Sequence, residues 1–234
     1  MHQILSKVLK PQQRGAIAIL VSGGLDSSVL LAEQAAAGKK VYPVFIETGL
    51  HFEPAQKKIL EKFIQKLSYK NIQPLTTLSL PLRDLYAKNH WAVSGKKVPS
   101  LKTADEAVYL PGWNLLLLTP AFVFAAQNGI SKIALGHLFH NPFPDSQTSF
   151  FRKLERTAEE AFWRKIRVER PFRHLKKESV IRRGRKFPLE LTMSCINPTT
   201  TKHCGACNKC EERHKYFIKA KVPDPTVYVR KMVG

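Results

Sequence analysis

A serine- and glycine-rich segment, residues 22–28, separates an apolar run at residues 16–21 from a helix-like stretch at residues 29–35. Strand, glycine turn and helix start in this order can bind a pyrophosphate or triphosphate, because a helix N-terminus presents unpaired amides and a partial positive charge. Glycines let the backbone approach the phosphates closely, and serine hydroxyls can donate to phosphate oxygens. The segment therefore predicts a nucleotide site formed by Ser22, Gly23, Gly24, Leu25, Asp26, Ser27 and Ser28.

This segment differs from two other phosphate-binding loops. It lacks the lysine and the glycine spacing of a Walker P-loop, and it is not G-x-G-x-x-G. Asp26 is expected either to cap the following helix or to help hold Mg2+ near the phosphates. An ordinary serine-glycine turn before a capped helix is the alternative, but the order of strand, loop and helix favours a nucleotide site.

The rest of the chain alternates short apolar runs with longer segments of helical periodicity. The runs predict strands at residues 41–46, 72–80, 132–136 and 170–172, and the periodic segments predict helices at residues 54–67, 114–127, 147–165 and 176–183. Such alternation predicts an α/β fold with a Rossmann-like parallel sheet and helices on both faces, with ligands at the carboxyl ends of the strands. Residues 81–112 are rich in proline and glycine and are expected to pass over the sheet edge where a substrate could bind.

No segment of the sequence predicts a membrane span. The most apolar stretch, residues 113–126, is too short to cross a bilayer and contains Pro120, so we expect it to be a buried helix. Residues 1–7 contain no long apolar signal core, so we expect a cytoplasmic protein without a membrane partner.

The four cysteines of the chain are clustered near its end. Three follow a C-x2-C-x2-C spacing, which brings their thiolates into one turn, and the fourth can complete a tetrahedron; they are Cys195, Cys204, Cys207 and Cys210. We expect a structural Zn2+ site, with an iron-sulfur cluster and four unliganded thiols as the alternatives. The sequence thus divides into an α/β domain at residues 1–190 and a metal-binding segment at residues 191–234.

The chain is strongly basic. Its 38 lysines and arginines exceed its 18 acidic residues, which gives a net charge of +20, and many of the cations lie between residues 151 and 187. A basic surface attracts polyanions, so RNA is a candidate partner. Charge alone gives no base recognition, and an ordinary solvated basic face is the alternative.

The nucleotide-binding segment resembles the S-G-G-x-D-S/T loop of the PP-loop ATP pyrophosphatases, whose fold is like that of the adenine nucleotide alpha hydrolases. Three further segments are similar to the 7-cyano-7-deazaguanine synthase (ExsB) family: residues 109–116, residues 141–145, and Cys195 together with residues 204–213. The resemblance covers roughly residues 20 to 217.

This resemblance implies a specific reaction. ATP adenylates 7-carboxy-7-deazaguanine, ammonia displaces AMP to give an amide, and a second activation dehydrates the amide to the nitrile, a precursor of queuosine-type tRNA modification. It implies ATP, Mg2+ and Zn2+ as cofactors, with Ser22, Asp26 and Lys176 as catalytic residues; Lys176 could contact phosphate, and an ordinary surface ion pair is the alternative. The resemblance is also compatible with a homodimer. No side-chain nucleophile is needed, in agreement with the commitment of all four cysteines to a metal.

Three departures from the family pattern point to a divergent branch acting on a related acid. Trp113 stands where the family usually has an arginine, Ser146 replaces the usual cysteine after Asp145, and residues 47–53 lack the usual glutamine-rich sequence. The histidines His51, His90, His137 and His140 could supply acid-base chemistry or simply pack. A PP-loop tRNA-modifying enzyme, an amide-forming ligase and a non-catalytic nucleic-acid-binding module are the competing functions.

Overall fold

The computed structural model describes residues 9–139 and 143–232. Residues 1–7, which we expect to contain no export signal, lie outside these ranges, as do His140 and residues 141–142 of the family-like motif. None of the helices in the described part of the chain is long and apolar enough to cross a membrane.

Five parallel strands form one sheet, which confirms the predicted fold class. The strands are β1 (Ala16–Leu20), β2 (Lys40–Glu47), β3 (Thr76–Ser79), β4 (Lys132–Ala134) and β5 (Arg167–Glu169). Their order across the sheet is β3-β2-β1-β4-β5, and every pairing is parallel. The strand order therefore reverses at β1, and such a switch point opens a crevice for ligands at the carboxyl ends of the strands.

Seven helices connect or cover the strands within the described residues. They are α1 (Leu25–Ala36), α2 (Glu53–Leu67), α3 (Trp91–Ser94), α4 (Trp113–Gln127), α5 (Thr148–Phe162), α6 (Lys177–Gly184) and α7 (Asn208–Ala220). Short 3-10 turns lie at Asp105–Val108, Pro144–Ser146 and Leu189–Leu191.

The alternation of side chains along β1 divides the core between the two faces of the sheet. Ile17 and Ile19 pack with residues of α1, α2, α6 and α7, whereas Ala16, Ala18 and Leu20 pack with residues of α4 and α5. Because successive strand side chains point to opposite faces, a strand that is apolar at every position is buried on both. The predicted placement of helices on both faces is thus confirmed.

Several element boundaries differ from those predicted. The last strand is Arg167–Glu169 rather than residues 170–172, because Pro171 has no amide for the ladder while residues 167–169 pair with β4. The third strand begins at Thr76, after Pro74, so residue 72 forms only an isolated bridge to Val41. Helix α1 begins at Leu25, four residues earlier than predicted.

The cysteine-containing segment packs directly on the α/β core. The amide of Met193 donates to the carbonyl of Gly23 at 2.7 Å, and Phe217 and Ala220 of α7 are buried in the cluster that contains α1. The division of the chain at residue 190 stays a prediction.

Candidate active site and metal centre

The predicted phosphate loop lies at the carboxyl end of β1 and runs into the first turn of α1. Gly24 is the N-cap of α1 in extended conformation and receives no side-chain cap. The loop is instead held by serines: the Ser22 amide donates to Ser27 Oγ at 3.2 Å, and the Gly24 amide donates to Ser22 Oγ at 3.3 Å. The structure therefore brings Ser22, Gly24 and Ser27 together around a helix N-terminus, which favours anion binding.

Two glycines permit close packing around this loop. Gly23 has a φ of +75°, and a Cβ there would lie 2.5 Å from the carbonyl oxygen of Gln56 in α2. Gly136, just after β4, would place a Cβ 2.9 Å from the Asp26 backbone. Only glycine allows the loop to contact both neighbouring elements this closely.

Asp26 does not cap α1, contrary to one of its two expected roles. Its Oδ2 accepts a hydrogen bond from Lys177 Nζ at 2.5 Å, and both side chains are largely buried. Its Oδ1 is buried and has no hydrogen-bond partner among the described residues. An unpartnered carboxylate oxygen beside a phosphate loop fits a Mg2+ ligand, so the alternative role of Asp26 stays a prediction.

The structure places Lys177, not Lys176, beside the loop. Lys176 is the exposed N-cap of α6, whereas Lys177 occupies the first helical position. The sequence contained a signal for this, because Lys177 precedes buried Val180 and Ile181 by three and four residues and so shares their face of the helix. No described contact joins Lys176 to the loop.

A cavity of about 360 Å3 extends from the loop across the carboxyl ends of the strands. One end is lined by Ser22, Gly24, Asp26 and Ser27. The other is lined by the aromatic residues Phe52, Trp91, Tyr109, Trp113 and Phe143, of which Tyr109 and Phe143 stack with ring centroids 4.5 Å apart. The predicted excursion over the sheet edge thus supplies much of the wall, and the cavity joins a phosphate-binding end to an aromatic end.

A buried polar cluster lies at the start of α4. Asp145 Oδ2 accepts a hydrogen bond from the Asn114 amide at 2.8 Å, and Asn114 Oδ1 lies 3.2 Å from His137 Nε2. Burial, followed by the nearby Arg170 guanidinium, lowers the pKa of His137 to about 4. His137 is therefore neutral at pH 7, and it contributes a hydrogen-bonding group rather than a positive charge to the cavity wall.

Glu53 is a second buried acid of the cavity that sequence reasoning missed. Its Oε2 accepts hydrogen bonds from the amides of Thr48, Gly49 and Leu50 at 2.9, 2.7 and 3.2 Å. Burial outweighs these bonds and raises the pKa of Glu53. The carboxylate stabilises the loop after β2.

The four cysteine sulfurs form one compact, buried group. The Sγ atoms all lie within 4.8 Å of one another, with Cys195–Cys207 and Cys204–Cys210 both at 3.8 Å and Cys207–Cys210 at 3.5 Å. A tetrahedral Zn2+ with Zn–S bonds of about 2.3 Å requires sulfurs about 3.8 Å apart. The amides of Asn197 and Cys204 donate hydrogen bonds to the Cys195 sulfur, and such bonds orient and stabilise a metal-binding thiolate. The donor set fits a structural zinc ion.

Charged residues connect this cluster to the loop. In α7, Lys209 Nζ lies 2.5 Å from Glu212 Oε2, and the ammonium groups of Lys177 and Lys209 lower the pKa of Glu212 although burial alone would raise it. Buried Arg213 donates to the carbonyl of Leu189 at 2.9 Å and to Thr192 Oγ1 at 2.8 Å. These contacts fix helix α7 against residues 189–192. We call the segment from Cys195 to Cys210 the metal knuckle.

Comparisons with known proteins agree with this arrangement. A family model described as "Queuosine biosynthesis protein QueC" matches residues 16–221. The chain belongs to the QueC family. A relative from Anaeromyxobacter sp. named 7-cyano-7-deazaguanine synthase is 29% identical, with 95% of this chain and 99% of the relative covered. One of the same name from Syntrophobacter fumaroxidans is 31% identical, with 94% and 98% covered.

The QueC-family fold also matches a solved structure. A 4-thiouridine synthetase–RNA complex with bound ATP has a TM-score of 0.51 and 18% identity, covering 90% of this chain and 51% of that one. This similarity supports the shared α/β fold. Membership in the QueC family confirms the prediction made from the loop and the cysteine spacing.

Proposed function

We propose that this protein is an ATP-dependent ligase that converts 7-carboxy-7-deazaguanine and ammonia into 7-cyano-7-deazaguanine. The proposal rests on the family and on one structural observation: a single cavity joins the N-terminus of α1 to a compartment lined by aromatic rings. The helix N-terminus suits a phosphate chain, and the stacked pair Tyr109 and Phe143 suits a flat heteroaromatic acid.

The proposed reaction proceeds by adenylation. A carboxylate oxygen of the acid attacks the α-phosphorus of ATP, the bond to the β-phosphate oxygen breaks, and pyrophosphate leaves. Ammonia then adds to the activated carbonyl carbon and AMP leaves with the carboxylate oxygen, giving the amide after loss of a proton. Adenylation of the amide oxygen by a second ATP, followed by loss of AMP and a proton, gives the nitrile. Each oxygen of the carboxylate thus departs on an AMP.

The protein's role in these steps is binding and charge stabilisation. The amides at the start of α1 and the hydroxyls of Ser22 and Ser27 donate to the phosphate oxygens, whose charge rises as pyrophosphate leaves. Asp26 would hold Mg2+, which would further neutralise the phosphates. All four cysteines lie in the group that fits a metal ion, so the proposed mechanism uses none of them as a nucleophile.

Isotope transfer tests the proposal directly. The purified, zinc-loaded protein is incubated with ATP, Mg2+, ammonium and 7-carboxy-7-deazaguanine carrying 18O in its carboxylate. We expect substrate-dependent AMP and pyrophosphate, 18O in the AMP, and product masses of the amide and then the nitrile. Asp26→Asn should lower kcat at least about 100-fold. Asp84→Asn, the same chemical change at an exposed residue outside the cavity, should leave kcat unchanged.

Absence of substrate-dependent AMP from the zinc-loaded protein would contradict the proposed substrate, and 18O in inorganic phosphate would contradict adenylation. A tRNA-modifying enzyme is the second candidate, because most of the cations in residues 151–187 are exposed. If the protein modifies tRNA, the mass of tRNA added to the same reaction mixture should increase. The absence of a cysteine outside the metal cluster argues against sulfur transfer by this chain.

A further inference from the structure

The charges around the cavity are unevenly distributed. Three carboxylates line it, those of Asp26, Glu53 and Asp145, whereas Lys209 is the only lysine or arginine among its described lining residues. His137 also lines the cavity but is neutral at pH 7. A triphosphate brings about four further negative charges, so a direct cation there has a large electrostatic effect.

Lys209 reaches the cavity from the metal knuckle. It lies between Cys207 and Cys210, in the first turn of α7, so the same turn that presents two thiolates to the metal directs this lysine to the nucleotide site. Its ammonium is held by Glu212, and the Lys209 side chain is 27% exposed. The ammonium is thus partly desolvated and already positioned before a ligand binds, which strengthens its interaction with an anion.

The surrounding charges place Lys209 near the phosphate-binding end. Glu212 also interacts with Lys177, and Lys177 is bound to Asp26 of the phosphate loop. Both lysines are paired with a carboxylate at 2.5 Å, but Lys177 does not line the cavity and Lys209 does. Trp113 lines the cavity with an aromatic plane rather than a charge. This leaves Lys209 as the group that can meet the phosphate chain directly.

We propose that Lys209 binds the phosphate chain of ATP, and that the metal knuckle thereby supplies part of the nucleotide site. This inference rests on the proposed function, because it assumes that ATP occupies the cavity. It adds a binding role to a segment whose cysteines by themselves indicate only a structural metal. A salt bridge to Glu212 that merely stabilises α7 is the competing role for this lysine.

A series of adenine ligands separates the two roles. The affinities of ATP, ADP, AMP and adenosine are measured by calorimetry for the zinc-loaded wild type and for Lys209→Met, with zinc content determined for each. Loss of a charged hydrogen bond should weaken ATP binding about 10- to 100-fold and ADP binding less, and leave adenosine binding within about 2-fold. Lys209→Arg should retain most of the affinity. Lys202→Met, at an exposed residue of the same knuckle, should match the wild type.

Three other outcomes would contradict the inference. Equal weakening of all four ligands, adenosine included, would show that Lys209 acts only through the structure of the knuckle. Unchanged ATP affinity in Lys209→Met, with a wild type that binds ATP, would overturn the inference and leave the proposed function standing. A zinc-loaded wild type that binds no ATP would overturn both.

Discussion

Replacing Gly23 with alanine adds one methyl group where the phosphate loop meets α2. The φ of +75° at Gly23 is strained for any residue with a Cβ, and that Cβ would lie 2.5 Å from the carbonyl oxygen of Gln56. Gly38, beyond the end of α1, has a nearly identical φ of +77°, but a Cβ there would meet nothing within 4 Å. The two positions therefore share the conformational strain and differ in the steric clash.

The expected losses of stability follow from this comparison. Left-handed strain costs about 1–2 kcal/mol, and the reduced freedom of the unfolded chain offsets about 0.4–1 kcal/mol of it, so Gly38→Ala should cost about 1 kcal/mol. Relieving the contact at Gly23 requires a shift of the loop or of α2, and such overpacking costs about 1–3 kcal/mol more. Gly23→Ala should therefore destabilise the protein by about 2–4 kcal/mol.

Urea unfolding of the two zinc-loaded variants measures the difference directly. Gly23→Ala should also lose ATP affinity, because the amides at the start of α1 would move, whereas Gly38→Ala should bind ATP as the wild type does. If the two variants lost equal stability, the close approach of Gly23 to Gln56 would contribute nothing, and the reasoning from the Cβ distance would be refuted.

The metal and His137 give two further predictions. The purified protein should contain one zinc ion per chain and show no iron-sulfur absorbance. Chelation of the zinc or Cys207→Ser should lower the melting temperature and increase hydrogen exchange at Gly23 and Gly24. An unchanged melting temperature after complete zinc removal would contradict a structural role for the metal. The pKa of His137 is 6.5 in the unfolded chain and about 4 in the folded protein. As the pH falls from 6.5 towards 4, the unfolded state therefore binds a proton that the folded state does not. The free energy of unfolding should decrease over this range by up to about 3 kcal/mol. Unfolding free energies of His137→Gln should decline less than those of the wild type between pH 7 and 4.5, with exposed His174→Gln as the control; parallel curves would exclude this contribution.

Local sequence signals predicted the elements that depend on neighbouring residues. Apolar runs flanked by helical periodicity were enough to predict a parallel sheet, and the predicted loop lies at the N-terminus of α1. The predicted strand boundaries were wrong near Pro74 and Pro171. Proline lacks the amide that pairs with a neighbouring strand, and where this ends a strand depends on which strand lies beside it. The order of the strands is a property of the tertiary fold and could not be derived from periodicity.

The site was predicted less completely than the fold, for the same reason. Spacing predicted the cysteine cluster because Cys204, Cys207 and Cys210 lie within one short segment, which Cys195 completes. Lys177 and Lys209 are functional candidates only because α6 and α7 pack beside the loop. A single position along the helix separates the largely buried side chain of Lys177 from exposed Lys176. Because the sequence contains 38 lysines and arginines, composition alone could not distinguish these two lysines from the solvent-exposed ones.

The segment that leads into the metal knuckle is hydrogen-bonded directly to the phosphate loop. The Met193 amide donates to the Gly23 carbonyl at 2.7 Å, and Met193 precedes Cys195, the first cysteine of the knuckle, by two residues. We expect a movement of the knuckle to reach Gly23 through this backbone bond, because only Ser194 separates Met193 from Cys195. Lys209, which lines the cavity, lies at the opposite end of the knuckle. Metal loss should therefore impair nucleotide binding through both the loop backbone and the lysine, even though no cysteine lines the cavity among the described residues.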